Sequence, residues 1–135
     1  MAKPGKKVMV FGTFALMHPG HLYFFKKAKE HGGYLIVVIA RDETVKKVKG
    51  FFPKLGELAR REMVGAIKFV DEAVLGDKFD WYKIILKYKP DIICLGYDQE
   101  IPKDFSKELQ RRGVAAKIIR LKSYKPEKYK SSLIA

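Results

Sequence analysis

Two histidines three residues apart stand at the start of a predicted helix. Residues 12–21 read Gly-Thr-Phe-Ala-Leu-Met-His-Pro-Gly-His and follow a short apolar run. His18 and His21 would lie on similar sides of a helical start, and Pro19 with Gly20 favours such a start. The first turn of a helix offers unpaired N–H groups and a positive dipole end to an anion. Two imidazoles at this place suit the oxygens of a phosphate group.

Other interpretations of the same segment stay open at this point. The two histidines could be a chance pair on a solvated turn, and a pair without further ligands is a poor metal site. The identity of any metal ligand is therefore unknown from the sequence. Neither G-x-G-x-x-G nor G-x-x-x-x-G-K-[ST] occurs in the chain, which excludes the dinucleotide fingerprint and the P-loop.

The charge of the chain points to an anionic partner. Lys and Arg number 28 against 15 Asp and Glu, so the net charge is +13. Residues 1–70 carry a net +9, residues 71–119 are neutral, and residues 120–135 carry +4. An anion site is therefore expected in the first half of the chain and at its extreme C-terminus.

Composition excludes several classes of protein. The hydrophobic fraction of 47% excludes global disorder, and one cysteine, Cys94, excludes a disulfide framework and a Cys-based zinc site. The longest apolar run, residues 35–40, is too short to span a bilayer. We expect a cytoplasmic protein with a single domain over residues 1–135. The absence of Asn and the abundance of Lys fit a thermophile.

Strands and helices alternate along the chain. The pattern predicts an α/β fold with one Rossmann-like, parallel, five-stranded sheet and helices on both faces. Ligands of such sheets bind beyond the carboxyl ends of the strands, where the strand order reverses. The predicted strands are residues 8–11, 34–40, 72–75, 91–95 and 117–121; the predicted helices lie in residues 21–31, 60–69, 79–88 and 103–112; residues 41–59 are predicted to be irregular.

The histidine segment resembles a known signature. Residues 12–21 are similar to the G-T-F-D-x-x-H-x-G-H motif of the cytidylyltransferase-like nucleotidyltransferases. Four later blocks resemble other segments of that family in the same order, and within it the likeness is to archaeal FAD synthases. Those blocks are residues 41–50, 60–72, 95–99 and 131–132.

The resemblance implies a reaction and its partners. An archaeal FAD synthase transfers AMP from ATP to FMN, giving FAD and pyrophosphate with a divalent cation, expected to be Mg²⁺. The resemblance also implies a homodimer. The attacking phosphate is already ionised at neutral pH, so the site must supply positioning and charge neutralisation rather than a general base.

The resemblance also implies roles for individual residues. His18 and His21 would donate to the triphosphate, Lys49 would close over the α-phosphate, and Arg60 would clamp the incoming phosphate. Without the resemblance, Lys49 would be interpreted as a solvated loop lysine, and Arg60 could equally be a surface charge of a helix beside Arg61. The implied nucleotide contacts are Gly12, Thr13, Phe14, His18, Pro19, Gly20, His21, Asp98, Tyr124, Ser131 and Ser132.

Two departures from the family pattern keep alternatives open. Ala15 stands where the motif has Asp, and the terminal motif reads Ser-Ser-Leu-Ile-Ala. One alternative is a CTP-dependent cytidylyltransferase acting on a phosphorylated alcohol such as glycerol 3-phosphate. Another is a weakly active or noncatalytic nucleotide-binding homologue. A nonspecific nucleic-acid binder is disfavoured because no RNA-binding motif occurs.

Overall fold

The computed structural model describes residues 5–122, which form a parallel sheet flanked by helices. No helix in this part of the chain is long and apolar enough to cross a membrane. The strands are β1 (Lys6–Gly12), β2 (Gly33–Ile39), β3 (Glu72–Leu75), β4 (Ile92–Leu95) and β5 (Lys117–Arg120). The helices are α1 (Pro19–Glu30), α2 (Asp42–Lys49), α3 (Glu57–Gly65), α4 (Tyr82–Tyr88) and α5 (Phe105–Arg111).

The sheet confirms the predicted α/β architecture. Its five strands are parallel and lie in the order β3-β2-β1-β4-β5, so the strand order reverses between β1 and β4. Successive residues of a strand point to opposite faces, and each face has its own apolar core. Helices α1 and α3 pack on one face, and α4 and α5 on the other.

The prediction that residues 41–59 are irregular is wrong. Helix α2 occupies Asp42–Lys49 and α3 begins at Glu57. Acidic residues in the first turn of α2 and lysines in its last turn complement the helix dipole. Gly50 ends the helix with a φ of 86°, a conformation that glycine adopts without steric cost. The irregular connection is thereby reduced to residues 50–56.

Candidate active site

The histidine segment and one short turn leave the sheet side by side, at the point where the strand order reverses. Residues 13–18 follow β1, and residues 96–99 follow β4, which is paired with β1 in parallel. Both connections therefore leave the carboxyl edge of neighbouring strands. Open parallel sheets bind their ligands at this edge, beside the point where the strand order reverses.

The two histidines cap α1 reciprocally. The backbone N–H of Gly20 donates to Nδ1 of His18 over 3.1 Å, and the backbone N–H of His18 donates to Nδ1 of His21 over 3.2 Å. Ser or Thr with Glu usually makes such a capping box. The positions of His18 and His21 are the N-cap and N3 positions of that pattern, a spacing from which the cap could have been predicted.

This cap sets the tautomer of both rings. An Nδ1 atom that accepts a hydrogen bond carries no proton, so a neutral ring holds its proton on Nε2. The centroids of the two rings are 4.0 Å apart. His18 and His21 are therefore a contiguous pair whose donors are the Nε2–H groups.

The cap also corrects the expectation that the first N–H groups of α1 are open to an anion. Pro19 has no N–H, the N–H of Gly20 binds the His18 ring, and the N–H of His21 donates to the His18 carbonyl over 2.9 Å. At these three positions the backbone is satisfied by the protein itself. Contacts to an anion at the start of α1 would fall to the imidazoles.

Both imidazoles are held neutral. Burial lowers the pKa of His18, and burial with the neighbouring His18 ring lowers the pKa of His21 to about 4. Desolvation disfavours the charged form of a base. At neutral pH the pair consists of hydrogen-bond donors rather than cations.

The ring of Phe14 packs against the ring of His21. The Phe14 ring makes an edge-to-face contact with the His21 ring at 5.6 Å and packs on Phe25 at 5.2 Å. A Cβ atom on Gly12 would lie 2.5 Å from the Phe14 ring, so any larger residue there would require the ring to move. Sequence reasoning expected Gly12 and Phe14 to hold the nucleotide, but Phe14 is only 8% exposed. The bulk of its ring instead fixes the histidine segment.

Arg60 does not lie on an open surface. Its side chain is fully buried and donates to four oxygens: the carbonyls of Thr13, Ala40 and Leu55 and the carboxylate of Asp42. The distances are 2.9, 2.8, 3.0 and 2.6 Å in that order. The expected phosphate clamp is therefore replaced by a buried tie, because the guanidinium is already occupied by protein oxygens.

A carboxylate of α3 extends this tie to α2. Oε1 of Glu57 accepts from the backbone N–H of Asp42 over 2.8 Å, and Oε2 accepts from Arg41 over 3.0 Å. Arg41 also donates to the carbonyl of Gly76 over 2.8 Å. Sequence reasoning missed Glu57 and Arg41 because no local pattern links residues that meet only in the folded chain. Arg60, Asp42, Glu57 and Arg41 together hold the start of α2 against the histidine segment.

Lys49 and Ala15 are both exposed. Lys49 is the last residue of α2, and its side chain makes no hydrogen bond or ion pair within residues 5–122. The structure does not bring Lys49 into contact with the histidines. Ala15 lies in the open part of the histidine segment. The missing Asp does not leave α1 uncapped, because His18 provides the cap.

The turn after β4 carries Asp98 at the surface. Oε1 of Gln99 accepts from the N–H of Gly96 over 3.1 Å, and Nε2 of Gln99 donates to the carbonyl of Phe11 over 3.2 Å. This side chain bridges β4 to the end of β1. The remaining predicted contacts, Tyr124, Ser131 and Ser132, lie outside the described residues.

No group of three or more His, Cys, Asp or Glu residues within residues 5–122 is arranged to hold a metal ion. Mg²⁺ in phosphate-transfer sites binds through one or two carboxylates and the substrate phosphates. A cation bound in that way needs no cluster of three protein ligands.

Comparisons with known proteins give the family. The cytidylyltransferase-like family model matches residues 9–135. The FAD synthase of Ferroglobus placidus is 47% identical over 87% of this chain and 77% of its own length. That of Aciduliprofundum boonei is 46% identical over 87% and 79%. The crystal structure of the lipopolysaccharide core biosynthesis protein from Thermoplasma volcanium superposes with a TM-score of 0.83 at 37% identity, covering 88% of this chain and 98% of that chain. The chain therefore belongs to the cytidylyltransferase-like family, in which its relatives include archaeal FAD synthases.

Proposed function

We propose that this protein is an FAD synthase that transfers AMP from ATP to FMN and releases pyrophosphate. The observation that carries the proposal is the 43–47% identity to FAD synthases over most of the chain. The histidine pair at the carboxyl edge of β1 supports it, because neutral donors held in a fixed tautomer suit the oxygens of a triphosphate.

The reaction makes one bond and breaks one. A phosphate oxygen of FMN attacks the α-phosphorus of ATP, and the bond from that phosphorus to the oxygen bridging to the β-phosphorus breaks as pyrophosphate leaves. No proton has to be removed from the nucleophile at neutral pH. Catalysis then depends on in-line positioning and on stabilising the charge that develops on the phosphate oxygens.

His18 and His21 are proposed to stabilise that charge. Each ring would donate from Nε2 to an oxygen of the triphosphate while its Nδ1 stays engaged in the cap of α1. The capping hydrogen bonds fix the direction of both donors before the substrate arrives. Such preorganised donors cost little reorganisation in the transition state.

Positive charge is proposed to come from Lys49 and from a divalent cation. Lys49 has an exposed side chain and would approach the α-phosphate. Mg²⁺, when bound with ATP, would neutralise phosphate charge as a Lewis acid. Arg60 is proposed to act through position, by tying the Thr13 carbonyl of the histidine segment to Asp42 at the start of α2.

A four-way assay tests the proposal. The purified protein is incubated with Mg²⁺, with either ATP or CTP, and with either FMN or glycerol 3-phosphate. We expect FAD and pyrophosphate from ATP with FMN and only background from the other three pairs. Faster pyrophosphate release from CTP with glycerol 3-phosphate would replace the proposal with the cytidylyltransferase alternative. No pyrophosphate from any pair would favour the noncatalytic homologue.

We further propose that the protein acts as a homodimer. Five large apolar side chains around α2 and α3 are between 51% and 77% exposed, which is uncommon on a monomer surface. They are Val48, Phe51, Phe52, Leu58 and Met63. Light scattering on the eluting protein at micromolar concentration should give twice the mass of the chain; the mass of one chain would contradict the proposal.

A further inference from the structure

Arg120 ends β5 beside the turn that carries Asp98. Its Nη1 atom donates to the carbonyl of Gly96 over 2.7 Å and to that of Gln99 over 2.8 Å, with the Tyr97 carbonyl at 3.4 Å. Arg120 is the register partner of Leu95, the last residue of β4, so its side chain reaches the turn directly. One guanidinium nitrogen thus gathers three of the carbonyls of residues 96–99.

The turn is also fixed from the opposite side. The Gln99 amide joins the N–H of Gly96 to the carbonyl of Phe11 in β1. The Phe11 ring packs edge-to-face on Trp81 at 5.3 Å, and Trp81 stacks on Phe105. Residues 96–99 are therefore held between β5 and β1, and Arg120 supplies the contacts on the β5 side.

These hydrogen bonds determine which backbone and side-chain groups of residues 96–99 are available to a ligand. The N–H of Gln99 donates to the Gly96 carbonyl, and the N–H of Gly96 is engaged by the Gln99 amide. Within residues 5–122, the N–H groups of Tyr97 and Asp98 make no hydrogen bond, and the Asp98 side chain is exposed. A carboxylate repels phosphate but accepts hydrogen bonds from hydroxyl or amino groups.

We propose that Arg120 is a positioning residue that orients the turn 96–99 toward the nucleoside part of ATP. The inference rests on the proposed function for the identity of the nucleotide. In the proposed function the histidine segment binds the phosphates at the end of β1, and the turn after the neighbouring parallel strand β4 leaves the same edge of the sheet, where the nucleoside would lie. Arg120 acts through the turn and does not touch the nucleotide itself.

Substitution of Arg120 tests the inference, with Arg61 as the matched control. Arg61 is an exposed arginine of α3 that makes no contact with the turn. The variants are Arg120→Gln, Arg120→Lys and Arg61→Gln. The probe is α,β-methylene ATP with Mg²⁺, titrated calorimetrically, so that binding is measured without turnover. The Km values for ATP and FMN, kcat and the thermal unfolding midpoint are measured on the same samples.

The expected result is a selective loss of nucleotide affinity. Arg120→Gln should weaken binding of the analogue and raise the Km for ATP about tenfold, because a charged hydrogen-bond donor is lost. The Km for FMN should stay within twofold, and Arg120→Lys should restore part of the affinity because it retains a cationic donor. Arg61→Gln should match the unchanged protein.

Three results would overturn the inference. The first is that Arg120→Gln binds the analogue as tightly as the unchanged protein does. The second is that Arg120→Gln raises the Km values for ATP and FMN equally and also lowers the unfolding midpoint. The third is absence of analogue binding in the unchanged protein. If the unchanged protein binds the analogue but makes no FAD, the proposed function fails while the role of Arg120 in nucleotide binding still stands on the calorimetric comparison.

Discussion

His18 and His21 each have two tasks, which the two nitrogens of the ring divide between them. Nδ1 accepts a backbone hydrogen bond in the cap of α1, so a neutral ring carries its proton on Nε2. From the residue types and their spacing, the sequence predicts that the two histidines contact a phosphate group. Their neutral state and tautomer could not be predicted, because both depend on burial and on hydrogen bonds formed in the folded chain.

The lowered pKa of His21 predicts a loss of stability in acid. Its pKa is about 4 in the folded protein against an ordinary 6.5, so the unfolded chain binds more protons between these values. The free energy of unfolding should be fully retained above about pH 6.5 and should fall by about 2 kcal/mol as the pH drops toward about 4.5. Urea unfolding at a series of pH values measures this.

His21→Gln is the matched control for that titration. Gln at this position of a capping box keeps the hydrogen bond to the N-cap backbone but has no proton to gain. We expect the loss between about pH 6.5 and 4.5 to be clearly smaller in this variant. An identical loss in both proteins would show that other groups cause it.

Substitution of Arg60 tests whether its guanidinium stabilises the fold or binds a substrate phosphate. Arg60→Met leaves the Asp42 carboxylate and three carbonyls without their donor, so the free energy of unfolding should fall by about 3–5 kcal/mol. Arg61→Met, on the exposed side of the same helix, should change it by less than about 0.5 kcal/mol. A phosphate clamp would instead give weaker substrate binding at unchanged stability. Chemical denaturation of the three proteins decides between them.

Among the elements, β1 and the segment after it position the site most directly. Gly12 ends the strand, and the Phe14 ring occupies the space that a Cβ atom on Gly12 would need. Phe14 adopts a positive φ of 55°, which costs a non-glycine residue energy. The surrounding contacts with Phe25 and His21 compensate for this cost, so the conformation of the whole segment depends on the close approach at Gly12.

Gly12→Ala should therefore disturb the site through packing. The added methyl group would meet the Phe14 ring at 2.5 Å, and such overpacking costs about 1–3 kcal/mol of stability. Displacement of Phe14 would also move the His21 ring that it supports, so kcat should fall. Urea unfolding and steady-state FAD synthesis measure the two effects.

Gly65→Ala provides the contrast. A Cβ atom there would lie 3.5 Å from Ala73, an ordinary contact, and the position is helical. Alanine favours helix over glycine by about 0.5–1 kcal/mol. We expect Gly65→Ala to be as stable as the unchanged protein or more stable, with the same kcat. Equal behaviour of the two alanine variants would contradict the packing argument.

For the molecule as a whole, the sequence was informative about architecture and about the histidine segment. All five strands and the parallel sheet could be predicted from apolar runs, but α2 was missed because its pattern is mostly charged. The burial of Arg60 could not be predicted, because its oxygen partners Thr13 and Ala40 lie 47 and 20 residues away in the chain. Contacts between residues so far apart in the chain depend on the strand order, and no local sequence pattern predicts that order.

The net charge of +13 gains a more specific meaning from the structure. The first half of the chain carries most of the excess, yet the histidine pair at its centre is neutral at physiological pH. Burial has removed charge from these donors, and Arg60 is occupied by protein oxygens. In the proposed reaction, the positive charge that faces the triphosphate is therefore expected from exposed side chains such as Lys49 and from a divalent cation.

The kcat of His18→Asn for FAD formation tests the central claim most directly. Asn is a good N-cap, so its side-chain oxygen replaces Nδ1 and the free energy of unfolding should stay within about 0.5 kcal/mol. His18→Ala, in contrast, should lose the cap and about 1 kcal/mol of stability. Because Asn does not place a donor at the position of Nε2, we predict that kcat falls about a hundredfold or more. A fall of less than tenfold in the stable Asn variant would contradict the claim that this imidazole stabilises charge on the triphosphate.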